Sequence, residues 1–107
     1  VDTSRTMVFS GRERHSSARY QNVGYPSRVL RTQQFLYIKN FHPERWPAGD
    51  PRDYSADGKL GPPHDAYRDI DAGVSKVFLV KNFDVPPIDR YFHLAVDKRP
   101  AEELFDI

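Results

Sequence analysis

The stretch RVLRTQQFLYIKNF, residues 28–41, decides the fold class of this chain. It holds two short runs rich in β-branched and aromatic residues, and the polar pair Gln33-Gln34 separates them. Such runs around a short polar break are typical of two antiparallel strands joined by a turn. Tyr25 precedes Pro26, and a residue before proline favours extended backbone. We therefore predict a β-hairpin at about residues 28–41, reached through an extended segment.

The segments beside the hairpin predict another strand and a long loop. Residues 6–10, with the sequence TMVFS, are a strand candidate. Residues 42–69 contain many prolines and glycines and show no hydrophobic periodicity, which predicts a loop. A loop of this length in a compact domain is uncommon, and it is often functional or wrapped over another part of the protein.

The last third of the chain changes to helical periodicity, at Ile70, Val74, Val77, Phe78 and Lys81. This spacing predicts a helix at about 71–82, with Asp71 as its N-cap. A second helix is predicted at about 87–97, because Pro87 suits a first helical turn. Its apolar face would comprise Ile88, Tyr91, Phe92 and Ala95. Residues 103–107 predict a last strand.

These elements together predict a single α+β domain over residues 1–107. We expect a small antiparallel sheet of about four strands with two helices packed on one face. The larger aromatic side chains are expected in the core: Tyr37, Phe41, Trp46, Phe78, Tyr91 and Phe92. Trp46, which falls in the predicted loop, has the alternative of stacking on a sugar ring.

Charge is distributed unevenly along the 107 residues, although the net charge is only +1. Residues 1–40 have a local charge of +5, almost entirely from arginine, and residues 41–107 have a local charge of −4. A guanidinium matches the oxygens of phosphate, sulfate or carboxylate, so an anionic ligand is compatible with this composition. The overall balance does not indicate nucleic acid as a partner.

Several classes of protein and site are disfavoured by composition. The chain has no cysteine, which excludes disulfides and thiolate metal sites. It has no apolar run long enough for a membrane span and no signal-peptide pattern at its start. It begins at Val1 and stops within an apolar run, which predicts a piece of a longer chain.

The stretch GRERH is the most concentrated candidate for binding, with Arg12, Glu13, Arg14 and His15. It follows a predicted strand, and binding residues are often found where a strand ends. Continued strand geometry would place Glu13 and His15 on one side and the two arginines on the other. His15 could donate a hydrogen bond to an anionic oxygen, and Glu13 could orient His15 or neutralise an arginine. The alternative is an exposed cluster of mutually paired charges.

Metal and nucleophile patterns are weak. The four histidines lie more than 20 residues apart, and no pair of ligands has a recognised metal-site spacing. Serine, histidine and aspartate are all present, but no nucleophile-elbow motif supports a triad. The sequence therefore predicts no catalytic and no metal-binding residue in this chain.

Four stretches resemble the C-terminal subdomain of sulfatases, closest to the heparan N-sulfatase (sulfamidase) group: VFSGRERHSSAR, YPSRVLRTQQFLYIKNF, HPERWPAGDP and YFHLAVDKRPAEELFDI. The resemblance extends from Met7 to Ile107. It implies a small domain with a four-stranded antiparallel sheet, joined to a larger catalytic domain that is absent here. That missing N-terminal domain would be a partner. It would hold calcium and a formylglycine, and the segment matching residues 12–15 would lie towards the active-site mouth.

The sulfatase nucleophile signature, Cys or Ser followed by any residue and then Pro-Ser-Arg, is not present. Pro26-Ser27-Arg28 occurs here, but the nucleophile position is Gly24, which has no side chain to oxidise. We predict that Ser27-Arg28 begins a strand and that the isolated chain is inactive.

The resemblance implies a parent enzyme that hydrolyses sulfate esters or sulfamates on glycosaminoglycan sugars. A periplasmic, secreted or lysosomal location of the parent is implied in the same way. This chain would contribute substrate contacts and domain packing and would hold no cofactor of its own. The alternative is a free-standing, non-catalytic module that binds anionic sugars.

Overall fold

The computed structural model describes residues 4–107. One four-stranded sheet is formed by β1 (Met7–Arg12), β2 (Ser27–Thr32), β3 (Phe35–Asn40) and β4 (Glu102–Asp106). The strands lie in the order β1-β2-β3-β4, and every neighbouring pair is antiparallel. Two helices, α1 (Val74–Lys81) and α2 (Ile88–Val96), precede the last strand. The predicted α+β class is confirmed.

The hairpin of β2 and β3 turns at Gln33-Gln34, and Thr32 stabilises that turn. The Thr32 hydroxyl accepts a hydrogen bond from the backbone N–H of Phe35 at 2.8 Å. Pairing of Leu30 with Tyr37 then places the apolar residues of the two strands on common faces. The polar pair between the two runs is therefore the turn itself.

The helices pack on each other and on the loop between β3 and α1. The buried core comprises Ala48, Tyr67, Phe92 and Val96, with Ile70, Leu79 and Val80 packed against it. The expected packing of the helices directly on a sheet face is therefore replaced by packing on this loop. The molecule is elongated as a result, with a radius of gyration of 16.3 Å, against about 13 Å for a compact chain of this length.

Two details of the helices differ from prediction. Gly73, rather than Asp71, is the N-cap of α1, and no side chain caps that end. Phe78 of α1 and Tyr91 of α2 are about half exposed, as is Phe41, whereas Phe92 is buried as expected. The helical spacing identified α1, but the side of α1 that packs carries Leu79 and Val80.

Candidate functional site

The stretch from Arg12 to His15 lies where β1 ends. Arg12 pairs with Ser27 of β2, and the backbone bends at Glu13. The predicted alternation of side chains between the two faces of the strand therefore ends at Arg12 and does not apply to Glu13, Arg14 and His15. All four residues are exposed to solvent. The structure thus places the predicted group together on the surface, at one end of the sheet.

Glu13 and Arg14 bind neighbouring protein groups. The Glu13 carboxylate accepts a hydrogen bond from Nη2 of Arg28 and forms an ion pair with it. Arg14 donates from Nη1 to the side-chain oxygen of Asn22 at 2.6 Å. Glu13 was predicted either to orient His15 or to neutralise an arginine. It neutralises Arg28, which lies outside the GRERH stretch. Register explains this partner, because Gly11 pairs with Arg28 and leaves space for the long side chain.

Arg12 and His15 have no such partners. Neither side chain forms a hydrogen bond or an ion pair within residues 4–107. A guanidinium and an imidazole are both donors to anionic oxygens, and here both are open to solvent. The cluster of Arg12, Arg14 and His15, named here the strand-end cluster, therefore presents three donor groups to an anionic ligand.

Gly24 supports the strand-end cluster by its lack of a side chain. A Cβ atom at this position would lie 2.5 Å from the backbone oxygen of Glu13, far inside normal contact. The carbonyl of Gly24 also accepts a hydrogen bond from Nη1 of Arg45 at 2.9 Å. Glycine at position 24 is thus required by packing in this chain.

Arg28 completes an open groove beside the cluster. The groove is lined by Phe9, Ser10, Gly11, Glu13 and Arg28. The Arg28 guanidinium also lies 5.7 Å from the centre of the Phe41 ring. Arg28 was predicted as a residue of the hairpin strand and not as a binding residue. Its proximity to Glu13 depends on strand register, which the local sequence does not reveal.

A buried ion pair holds the segment after the cluster in place. Arg19 donates from Nε and Nη2 to Oδ2 of Asp69, at 2.9 and 2.6 Å. It also donates to the backbone oxygens of Trp46 and Pro47, both at 2.8 Å. The side chains of Arg19 and Asp69 are 2% and 3% exposed. These contacts, named here the buried clamp, join the segment between β1 and β2 to the long loop.

Tyr25 lies close to the buried clamp and is buried itself. Its hydroxyl has no hydrogen-bond partner among the described residues, and its ring lies 5.9 Å from the Arg19 guanidinium carbon. Burial raises the pKa of Tyr25, and the charge of Glu103 adds to that rise. The phenol therefore stays neutral and acts here as a packed aromatic side chain.

Neither a metal site nor a membrane span is found in the part of the chain that the structure describes. Residues 4–107 contain no group of three or more histidine or acidic side chains that could hold a metal ion. No helix in this range is long and apolar enough to cross a bilayer.

Comparison with known proteins identified no relative. No family model matches the chain, and neither the curated proteins nor the solved structures contain a match.

Proposed function

We propose that this chain is the C-terminal part of a sulfatase, closest to the heparan N-sulfatase group, and that it contacts a sulfated glycosaminoglycan sugar. The observation that carries the proposal is the strand-end cluster, in which Arg12 and His15 are exposed and have no partner within residues 4–107. The sulfatase-like stretches that surround the cluster in the sequence support the same function.

The roles within the cluster follow from chemistry. Arg12 and Arg14 would bind sulfate or carboxylate oxygens, and His15 would donate a further hydrogen bond. Glu13 keeps Arg28 in place beside them through their ion pair. The reaction itself belongs to the parent enzyme, whose missing domain would supply the formylglycine and the calcium ligands. Such a parent would be periplasmic, secreted or lysosomal.

The test in the parent enzyme compares two substrates. His15→Ala or Arg14→Ala should lower turnover of a sulfated glucosamine about ten- to a hundredfold, because each loses a charge-assisted hydrogen bond. Turnover of a small aryl sulfate should change much less, since it lacks the sugar that these groups hold. Equal losses on both substrates would mean that the cluster is structural. Unchanged turnover of both would mean that it is solvated charge.

A second candidate is a free-standing module that binds anionic sugars without catalysis. It is favoured by one observation, namely that the buried clamp and the core lie entirely within this chain. Such a site would need no second domain to hold its residues in place.

Calorimetric titration of the 107-residue chain with a heparin oligosaccharide separates the candidates. Binding that His15→Ala weakens, and that the control Arg90→Ala on α2 leaves unchanged, would support the module. Absence of binding by the chain alone would favour a site completed by the missing domain. In either case we expect no turnover of sulfated substrates above a heat-inactivated control, because Gly24 offers no nucleophile.

A further inference from the structure

The two edge strands of the sheet carry its most exposed apolar side chains. Phe9 and Val8 of β1 are 71% and 58% exposed, and Leu104 and Phe105 of β4 are 67% and 43% exposed. An edge strand also presents unpaired backbone N–H and C=O groups, which form a template for another strand. Among residues 4–107, no further strand pairs with either edge, so both edges are open to strand addition.

The strand register aligns the exposed apolar residues of β1 with those of β4 across the sheet. Phe9 pairs with Leu30, Leu30 with Tyr37, and Tyr37 with Leu104, so one apolar row crosses all four strands on one face. A second row on the opposite face begins at Val8 and ends at Phe105, with Arg31 and Leu36 between them, so it is apolar at both edges. Each row thus begins and ends on an open edge, and another β1 could continue both rows beyond β4.

The two edges also differ in charge. β1 contains Arg12 and no acidic residue, whereas β4 contains Glu102, Glu103 and Asp106. Pairing two β4 strands would bring acidic residues together, and like charges on neighbouring strands are destabilising. Pairing β1 with β4 avoids this and brings opposite charges together. Charge therefore opposes the pairing of two β4 strands and favours the pairing of β1 with β4.

We propose that copies of this chain associate by pairing β1 of one copy with β4 of another, in an antiparallel arrangement with Phe9 opposite Leu104 of the second copy. In this register Val8 lies opposite Phe105, and Arg12 lies diagonally across from Glu103. The alternation of strand direction continues across the junction, because β1 and β4 run in opposite directions within the sheet. The occupant of each open edge is thus the other edge of a second copy.

This mode of association predicts the distribution of species. Each copy that joins still has one free β1 or β4 edge, so the contact does not close on itself as a symmetric dimer does. A single pair of strands also buries less surface than a standard protein interface, so association should be weak and concentration-dependent. Sedimentation velocity should show the average mass rising steadily with concentration. A mass that remains that of a single chain at every concentration would overturn the proposal.

Cross-linking tests the register, because the chain has no cysteine of its own. Phe9→Cys and Leu104→Cys chains should give abundant cross-linked dimer with a short bis-maleimide only when they are mixed. The same two cysteines placed in one chain should not be joined to each other by the short reagent, because two strands separate β1 from β4 and the distance is about 14 Å. Cross-linking of Phe9→Cys alone would overturn the proposal in favour of pairing between two β1 strands.

A matched control measures the cross-linking that results from random collision between two chains. Val74 on α1 is 88% exposed and lies on neither edge, so Val74→Cys mixed with Leu104→Cys should give little product. Equal yields from this mixture and from the Phe9 mixture would also overturn the proposal.

A charge placed on one edge gives an independent readout. Leu104→Lys should weaken self-association at least about tenfold, because a lysine on an edge strand opposes pairing with a second strand. Val74→Lys should leave it unchanged. Both side chains are mostly exposed, so circular dichroism should show the same fold for each variant. Equal association constants for the two variants would show that the contact lies elsewhere.

Discussion

Two arginine–carboxylate pairs in this molecule have the same chemistry and opposite surroundings. The side chains of Arg28 and Glu13, beside the strand-end cluster, are 52% and 64% exposed, whereas those of Arg19 and Asp69 are 2% and 3% exposed. Exposed pairs contribute little because water and salt screen them, whereas breaking a buried pair leaves a charge without solvation. The comparison suggests that the buried clamp holds the fold, while the exposed pair can exchange its partner for a ligand.

The largest effect is expected from the buried clamp. Arg19→Met should lower the free energy of unfolding by about 3–5 kcal/mol, because it leaves the Asp69 carboxylate and two backbone oxygens without their donor. Urea denaturation followed by circular dichroism measures this loss. The matched change at the exposed pair, Arg28→Met, should cost less than about 1 kcal/mol.

Partial recovery is expected when both charges of the clamp are removed. The double variant Arg19→Met/Asp69→Leu should be more stable than Arg19→Met alone, since no unpaired charge then remains buried. If Arg19→Met and Arg28→Met proved equally stable, the distinction between the two pairs would be wrong.

Alkaline pH should act on the buried region through Tyr67. Its side chain is 1% exposed, and burial, with the charge of Asp97, raises the pKa of Tyr67 to about 12. A raised pKa means that the folded state holds its proton more tightly than the unfolded state. The contribution of Tyr67 to the free energy of unfolding is therefore fully present below about pH 10. It is lost as the pH rises towards 12, and the total loss is about 3 kcal/mol.

Unfolding measured between pH 9 and 12 checks this dependence, with Tyr67→Phe as the control. The variant should show a shallower loss of stability over the same interval, although it also loses the hydrogen bond at 2.8 Å between the Tyr67 hydroxyl and His64. Identical pH profiles for the two proteins would rule out Tyr67 as the responsible group.

An intermediate effect is expected at Gly24, which lies against the backbone of Glu13 and accepts a hydrogen bond from Arg45. Gly24→Ala should cost about 1–3 kcal/mol, because its methyl group would collide with the backbone oxygen of Glu13. Gly61→Ala is the matched control, since a Cβ there meets only ordinary contacts, the nearest at 3.5 Å. Thermal unfolding of the two variants measures the difference, and equal midpoints would contradict the close packing inferred for Gly24.

The smallest effect on stability is expected at Glu13. Glu13→Gln should change the free energy of unfolding by less than about 1 kcal/mol, and this difference should shrink in high salt. The same change removes the ion pair with Arg28, and with it the only acidic residue between residues 4 and 40. Affinity for a heparin oligosaccharide should therefore rise about two- to fivefold. A fall in affinity would show that Glu13 assists binding, either by its own contact with the ligand or by keeping Arg28 in place.

The elements with strong local patterns were predictable. The hairpin of β2 and β3 followed from two β-prone runs around Gln33-Gln34, and both helices followed from apolar spacing. The position of the strand-end cluster was also predictable, because its charged residues directly follow an apolar strand in the sequence and must therefore lie near the end of that strand. The sequence did not show which of the four predicted binding residues, Arg12 to His15, would be paired. Arg14 and Glu13 have partners eight and fifteen residues away, whereas Arg12 and His15 have none within residues 4–107.

The sequence by itself determined the mixed α+β class, the hairpin and the position of the basic cluster, because each depends on neighbouring residues. Tertiary structure alone decided that Arg19 binds Asp69, fifty residues away, and that the helices pack on the loop rather than on the sheet. The physical reason is that an ion pair or a packed face depends on which surfaces meet. Local propensity is a property of a few consecutive residues, but burial arises only when distant segments come together and exclude water.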